Sequence, residues 1–140
     1  MHQRRTLLPL TAVVIIGVTT LIAGAQKAAD DPWNVPAGAS QELNPVKDTP
    51  TVIEKGRKIF ESKCQRCHGK DGRGRGPEAD PEHPAGNFTD RLRVAFNPDG
   101  VMFYKIWNGR ESPKMPSFRK EGLSKEDVWT VIHFVKTFRK

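Results

Sequence analysis

Apolar residues in the stretch 52–64 recur at steps of three and four. Val52, Ile53, Ile59, Phe60 and Cys64 therefore share one face of a helix. Pro50 suits a first helical turn, so the helix is predicted to open near Thr49–Pro50 and run to Cys64. Gly56 interrupts it at a cost of about 1 kcal/mol against alanine, which is explained if another helix crosses closely there. Asp99 to Gly109 reads as a short helix with a glycine terminator. Ser124 caps the last helix, with Asp127 three residues on as a capping-box variant and Glu126 suited to the N-terminal dipole. That helix carries Val128, Trp129, Val131, Ile132, Phe134, Val135 and Phe138, and ends basic at Lys136, Arg139 and Lys140. Long loops lie between, over Gly69 to Asn87 and Glu111 to Glu121. No strand period and no internal repeat is present. The fold class is all-α, with loops so long that a small chain needs a large apolar group to complete its core.

The N-terminus belongs to a different regime. Met1-His2-Gln3-Arg4-Arg5 is a short basic start, Thr6 to Ile22 is mostly apolar, and Ala23-Gly24-Ala25 supplies small residues at cleavage spacing. Residues 1–25 are expected to be an export signal cut after Ala25. The alternative is an uncleaved anchor, since the apolar stretch approaches the ~20 residues that span a bilayer. Residues 26–48 contain Pro32, Pro36 and Pro45, lack any period, and read as an extended arm in which Trp33 and Val35 are the apolar anchors. The domain proper is then 49–140.

Charge refines this picture only modestly. Losing Arg4 and Arg5 with the signal takes the formal net charge from +7 to +5. A mildly basic surface suits acidic protein partners, and no nucleic-acid motif accompanies it. A membrane partner is expected only if the N-terminal segment stays uncleaved, and the chain is expected to be a monomer.

Both cysteines of the chain lie in Cys64-Gln65-Arg66-Cys67-His68. The C-x-x-C-H run offers two thiols one turn apart to the vinyl groups of a haem, and an imidazole to its iron. One haem c, covalent through Cys64 and Cys67, is therefore expected, with His68 as the proximal ligand. Four residues compete for the sixth position. Met102, between Val101 and Phe103, reads as core. His133 reads as a helix flank, and His83 sits too near His68 in sequence to reach across. Met115 precedes a stiffening proline and lies far enough downstream to return over the opposite face. The metal ligands are thus expected to be His68 and Met115. Thioethers of this kind form outside the cytoplasm, so the expected route is general secretion and the expected compartment a bacterial periplasm.

The arrangement resembles a class I monohaem cytochrome c of the small bacterial periplasmic kind over about residues 51 to 139. The resemblance rests on Gly56-x-x-x-Phe60-x-x-x-Cys64-x-x-Cys67-His68-Gly69, on Gly72-x-Gly74-x-Gly76-Pro77, on Met115-Pro116-Ser117-Phe118, and on the run from Leu123 to Val135. It implies about three to four helices and long loops wrapped around the haem, with the first and last helices crossing at Gly56 against Phe134. It also implies a Pro77 carbonyl accepting the Nδ1 proton of His68, which would fix the ligand's tautomer. Phe118 and Trp129 are expected to line the haem slot beside His68 and Met115.

The function implied is that of a one-electron carrier between periplasmic or membrane redox partners, with no substrate bond broken and hence no enzyme. The alternative is a haem-based sensor or small haem enzyme whose sixth ligand is displaceable. Other classes fit worse. A thioredoxin-like reductase needs a βαβ setting, and a structural zinc site needs a second ligand pair. A dihaem peroxidase needs a second attachment motif. The glycines at 69, 72, 74, 76 and 86 lack the strand and the Gly-Lys-Ser/Thr of a phosphate cradle. They suit a loop approaching a flat cofactor closely.

Overall fold

The structure, a computed structural model, describes residues 33–139; the expected export signal over 1–25 and residues 26–32 of the arm lie outside the described residues. A 3-10 turn at Ala37–Gln41 precedes five helices: α1 (Pro50–Lys63), α2 (Gln65–His68), α3 (Arg91–Ala95), α4 (Asp99–Asn108) and α5 (Lys125–Thr137). Among the described residues there is no strand, only an isolated antiparallel bridge between Arg110 and Met115. The fold is all-α, and among the described residues no helix is long and apolar enough to cross a membrane.

Local chemistry sets the ends of α1 and α5. The Thr49 hydroxyl accepts from the Val52 amide at 3.2 Å, and Pro50 occupies a first-turn position where an N–H would have no helical partner. At α5 the Ser124 hydroxyl accepts from the Asp127 amide at 3.1 Å while the Asp127 carboxylate accepts from the Ser124 amide at 3.1 Å. This is a complete capping box. On the outer face of α1, Arg57 pairs with both Glu54 and Glu61, contacts worth a few tenths of a kcal/mol each.

The inner faces of α1 and α5 cross where the sequence places Gly56. A Cβ there would stand 3.0 Å from Phe134 Cβ, so the two backbones approach more closely than any larger residue permits. Phe60, one turn on, puts its ring 5.3 Å from Phe134 and 5.2 Å from Phe138. Val128, Val131, Ile132 and Val135 of α5 join Phe60, Met102 and Phe103 in the core. Burying each such side chain contributes roughly 1.5–3 kcal/mol. An ion pair at 2.9 Å between Lys136 and Asp99 ties α4 to α5.

Several features depart from the sequence reading. The 3-10 turn and α3 are too short to show a helical period. The arm, expected to be extended, includes that turn, and its end is bound to α5. Asn44 Nδ2 donates to the Trp129 carbonyl at 2.9 Å, and His133 Nε2 donates to the Val46 carbonyl at 2.7 Å. His133 is therefore buried, not on an exposed flank as expected, because the arm covers it and satisfies its ring N–H.

Candidate functional site

Cys64 closes α1, and Cys67 and His68 lie in the single turn of α2. The loop after His68 folds back over that turn through its backbone. The Gly74 amide donates to the His68 carbonyl at 2.8 Å, Gly76 to Cys67 at 2.9 Å and Glu78 to Arg66 at 2.7 Å. The glycine-rich loop thus fixes the carbonyls of α2 and holds the three motif residues in place.

His68 is held on two sides. Its Nδ1 lies 3.1 Å from the Gly86 carbonyl, and its ring stacks on Phe88 with centroids 4.4 Å apart. Burial draws its pKa down, and the Gly86 contact opposes that shift. A neutral ring donating from Nδ1 keeps the Nε2 lone pair available to a metal. The carbonyl partner is thus Gly86, where the resemblance had implied Pro77. Pro77 is exposed, because the turn from Gly76 to Ala79 carries it away from the ring. The Pro84–Phe88 segment supplies both of these contacts of His68.

Cys64 and Cys67 are not joined in a disulfide. Burial, and then the proximity of Cys67, pushes the Cys64 thiol up to about 12 against the opposing charges of Arg66 and Lys63. A thiol so strongly protonated is a poor match for a dithiol reductase, which works through a low-pKa thiolate.

Met115 is carried by the loop after α4. Its amide and carbonyl exchange hydrogen bonds of 2.9 Å with Arg110, and the Ser117 hydroxyl donates to the Trp107 carbonyl at 2.9 Å. Phe118 is buried beside it. Two adjoining cavities share His68, Pro84, Arg110 and Met115 as walls. One, of about 390 Å³, is lined by Cys64, Cys67 and Phe118 in addition. The other, of about 380 Å³, adds Trp33, Phe88, Met102, Ile106 and Arg139.

The expected residues distribute unevenly over this cleft. Cys64, Cys67, His68, Met115 and Phe118 all line it. Trp129 lines neither half: it is buried in the core, where its ring stacks on Phe103 at 4.2 Å. Met102 is core as expected, yet it also reaches the cleft, where its sulfur accepts from Arg139 Nη2 at 3.2 Å. His83 borders the cysteine half but pairs with Asp80 at 3.2 Å, and His133 is engaged by the arm. Trp33 and Arg139 were not foreseen as cleft residues. The one signal for Trp33 was its isolation as a large aromatic in a polar arm.

The residues fit an iron porphyrin. Apolar walls suit the body of the macrocycle, paired thiols border one half, and the other half is cationic and contains a buried Arg139 Nε with no hydrogen-bond partner among the described residues. No curated protein matches the chain. A model of the family described as cytochrome C oxidase, cbb3-type, subunit III matches residues 51–135, more than half of the chain and the whole span from α1 to the end of the core. The chain accordingly belongs to the cytochrome c oxidase, cbb3-type, subunit III family, and residues 51–135 are a c-type cytochrome domain, a family membership that suggests haem-based electron transfer.

Proposed function

We propose that the chain is a one-electron carrier with a single haem c held through Cys64 and Cys67 and ligated by His68 and Met115. The observation that carries this reading is that these four side chains line one cavity, although Met115 is remote from the motif in sequence. Bound there, haem supplies reversible exchange of one electron between ferrous and ferric iron. The protein's own residues do the rest. His68 is kept neutral and oriented by Gly86 and Phe88. Met115 offers a thioether, which favours ferrous iron and raises the potential. Buried Phe118 gives the cysteine half an apolar wall that would shield a bound haem from water on that side and so lower the cost of reorganisation on electron transfer.

The reading assigns the chain no enzymatic step. Its partners are redox proteins on the outer side of the cytoplasmic membrane, and the family description makes an oxidase a candidate for one of them. Export through the general secretory route to the periplasm follows from the N-terminal pattern, with the segment either removed or kept as an anchor.

The test is denaturing mass analysis of the exported chain. The expected result is the added mass of one haem that survives extraction with acid acetone and disappears in Cys64→Ala, Cys67→Ala. Haem removed by that solvent would overturn covalent attachment.

A further inference from the structure

The half of the cleft away from the cysteines is strongly cationic. Among the described residues Arg93, Lys105, Arg110 and Arg139 line it with one acid, Asp90, which pairs with Arg93 at 3.7 Å. Trp33, from the arm, lies among them: the Lys105 ammonium is 5.4 Å from its ring centroid and the Arg110 guanidinium carbon 4.2 Å. Such cation–π contacts hold the two charges against one rigid surface.

Arg139 points more directly to a ligand. Its Nε is buried without a hydrogen-bond partner among the described residues, and its Nη2 donates to the Met102 thioether, a weak acceptor. Desolvation draws its pKa down, and the nearby charge of Asp99 opposes the shift. Asp99 is itself held by Lys136 at 2.9 Å. A buried N–H on a half-buried cation is costly to leave unmet, and an anion would complete it.

The chemistry of a porphyrin supplies that anion. Its vinyl groups and its two carboxylates lie on opposite edges of the ring. With the vinyl edge at Cys64 and Cys67, the carboxylate edge falls in the cationic half. We propose that Trp33, Lys105, Arg110 and Arg139 form the seat of the haem carboxylates, so that the N-terminal arm is a working wall of the cofactor site. The proposal rests on the haem reading above. Trp33 and Arg139 lie outside the segment that the family model matches, and Lys105 and Arg110 within it, so the seat joins this chain's two flanks to the matched domain.

The seat should be visible in the electrochemistry of the full-length, haem-loaded chain. Arg139→Leu removes a charge that holds the carboxylates ionised and offsets their effect on the iron. At a fixed applied potential near neutral pH, the ferrous-to-ferric ratio should fall about tenfold, which is about 59 mV for one electron. The carboxylate pKa should rise, so that the potential falls with rising pH across the mildly acidic range where the wild type is flat. Trp33→Ala should shift both readouts in the same direction, Arg139→Lys should restore most of the loss, and Lys125→Leu, an exposed cation lining neither half, should do much less. Haem mass is recorded for every protein. Haem present, with Trp33→Ala or Arg139→Leu superimposing on the wild-type pH profile, overturns the seat. Haem absent from the wild type overturns the reading beneath it. Should Arg139→Leu fail to fold, the profile of Trp33→Ala decides alone.

Discussion

The bare Cα of Gly56 faces the carbonyl of Thr130, and a Cβ built on that glycine would stand 2.7 Å from the Thr130 oxygen. The atom in the way is backbone, so it cannot swing aside as the end of a side chain would. Gly56→Ala gains about 1 kcal/mol of helix propensity but must force α1 and α5 apart, a strain of ~1–3 kcal/mol. The net expectation is destabilisation by up to ~2 kcal/mol, and thermal melting should show a Tm about 4–8 °C lower per kcal/mol. An alanine variant that melts at or above the wild-type temperature would mean that the crossing is looser than described.

Ser124 and Asp127 give a pH-dependent counterpart. Asp127 is held below the usual carboxylate range chiefly by the Ser124 hydroxyl, with Lys55 at 3.0 Å adding to the effect and desolvation opposing it. A depressed carboxylate pKa contributes stability above the unfolded value of about 4, and that contribution is lost as pH falls through the folded value. Ser124→Ala should therefore cost about 1 kcal/mol at pH 7 and distinctly less under acid conditions that protonate Asp127 in both proteins. Urea unfolding at the two pH values measures this directly. An equal cost at both would remove the carboxylate from the account.

The readability of these elements in the sequence follows from where their causes lie. The α1 and α5 caps are local chemistry, legible because Thr49, Pro50, Ser124 and Asp127 sit within three residues of the groups they satisfy. The motif residues were legible because attachment chemistry dictates their spacing. Gly86, Trp33 and Arg139 were not, since each acts across the fold on a residue with which it shares no period. Trp129 misled for the same reason: its place on α5 fixes that it is buried, but only the packing of α4 decides that it faces Phe103 and not the cleft. His133 was misjudged because its cover comes from the arm, a segment with no pattern of its own.

Met102 and Met115 both border the cleft, which turns the choice of sixth ligand into a measurement. Met115 sits on a loop pinned by its bridge to Arg110, whereas Met102 is packed in α4 and hydrogen-bonded at sulfur by Arg139. Met115→Ala should abolish the weak near-infrared band of sulfur-ligated ferric iron, open the iron to carbon monoxide and lower the potential. Met102→Ala should keep that band and lose ~2–5 kcal/mol of stability as a core truncation. The reverse pattern would transfer the ligand role to Met102. Carbon monoxide binding by the unaltered ferrous protein would favour the sensor or enzyme reading.

Docking of a redox partner should depend on salt. Lys63, Arg66, Lys70, Arg73 and Arg75 flank the attachment motif, and Lys114, Arg119 and Lys120 flank Met115. The two segments meet where the Lys63 ammonium donates to the Glu121 carbonyl at 3.5 Å. Glu78 pairs with Arg66 at 3.5 Å and Asp71 with Arg73 at 3.6 Å, so part of the field is neutralised locally. Lys70, Arg75, Lys114, Arg119 and Lys120 are exposed and make no ion pair among the described residues. Exposed pairs add little stability, but a summed field of one sign can raise association rates by ~10-fold or more at low salt. Screening shortens the reach of that field to ~8 Å near 0.15 M. The second-order rate of electron transfer to the physiological acceptor should therefore fall as ionic strength rises, and Lys114→Gln with Lys120→Gln should flatten the dependence by lowering the low-salt rate. A rate that stays constant or climbs from low to moderate salt would show that these cations do not steer docking, without touching the carrier function.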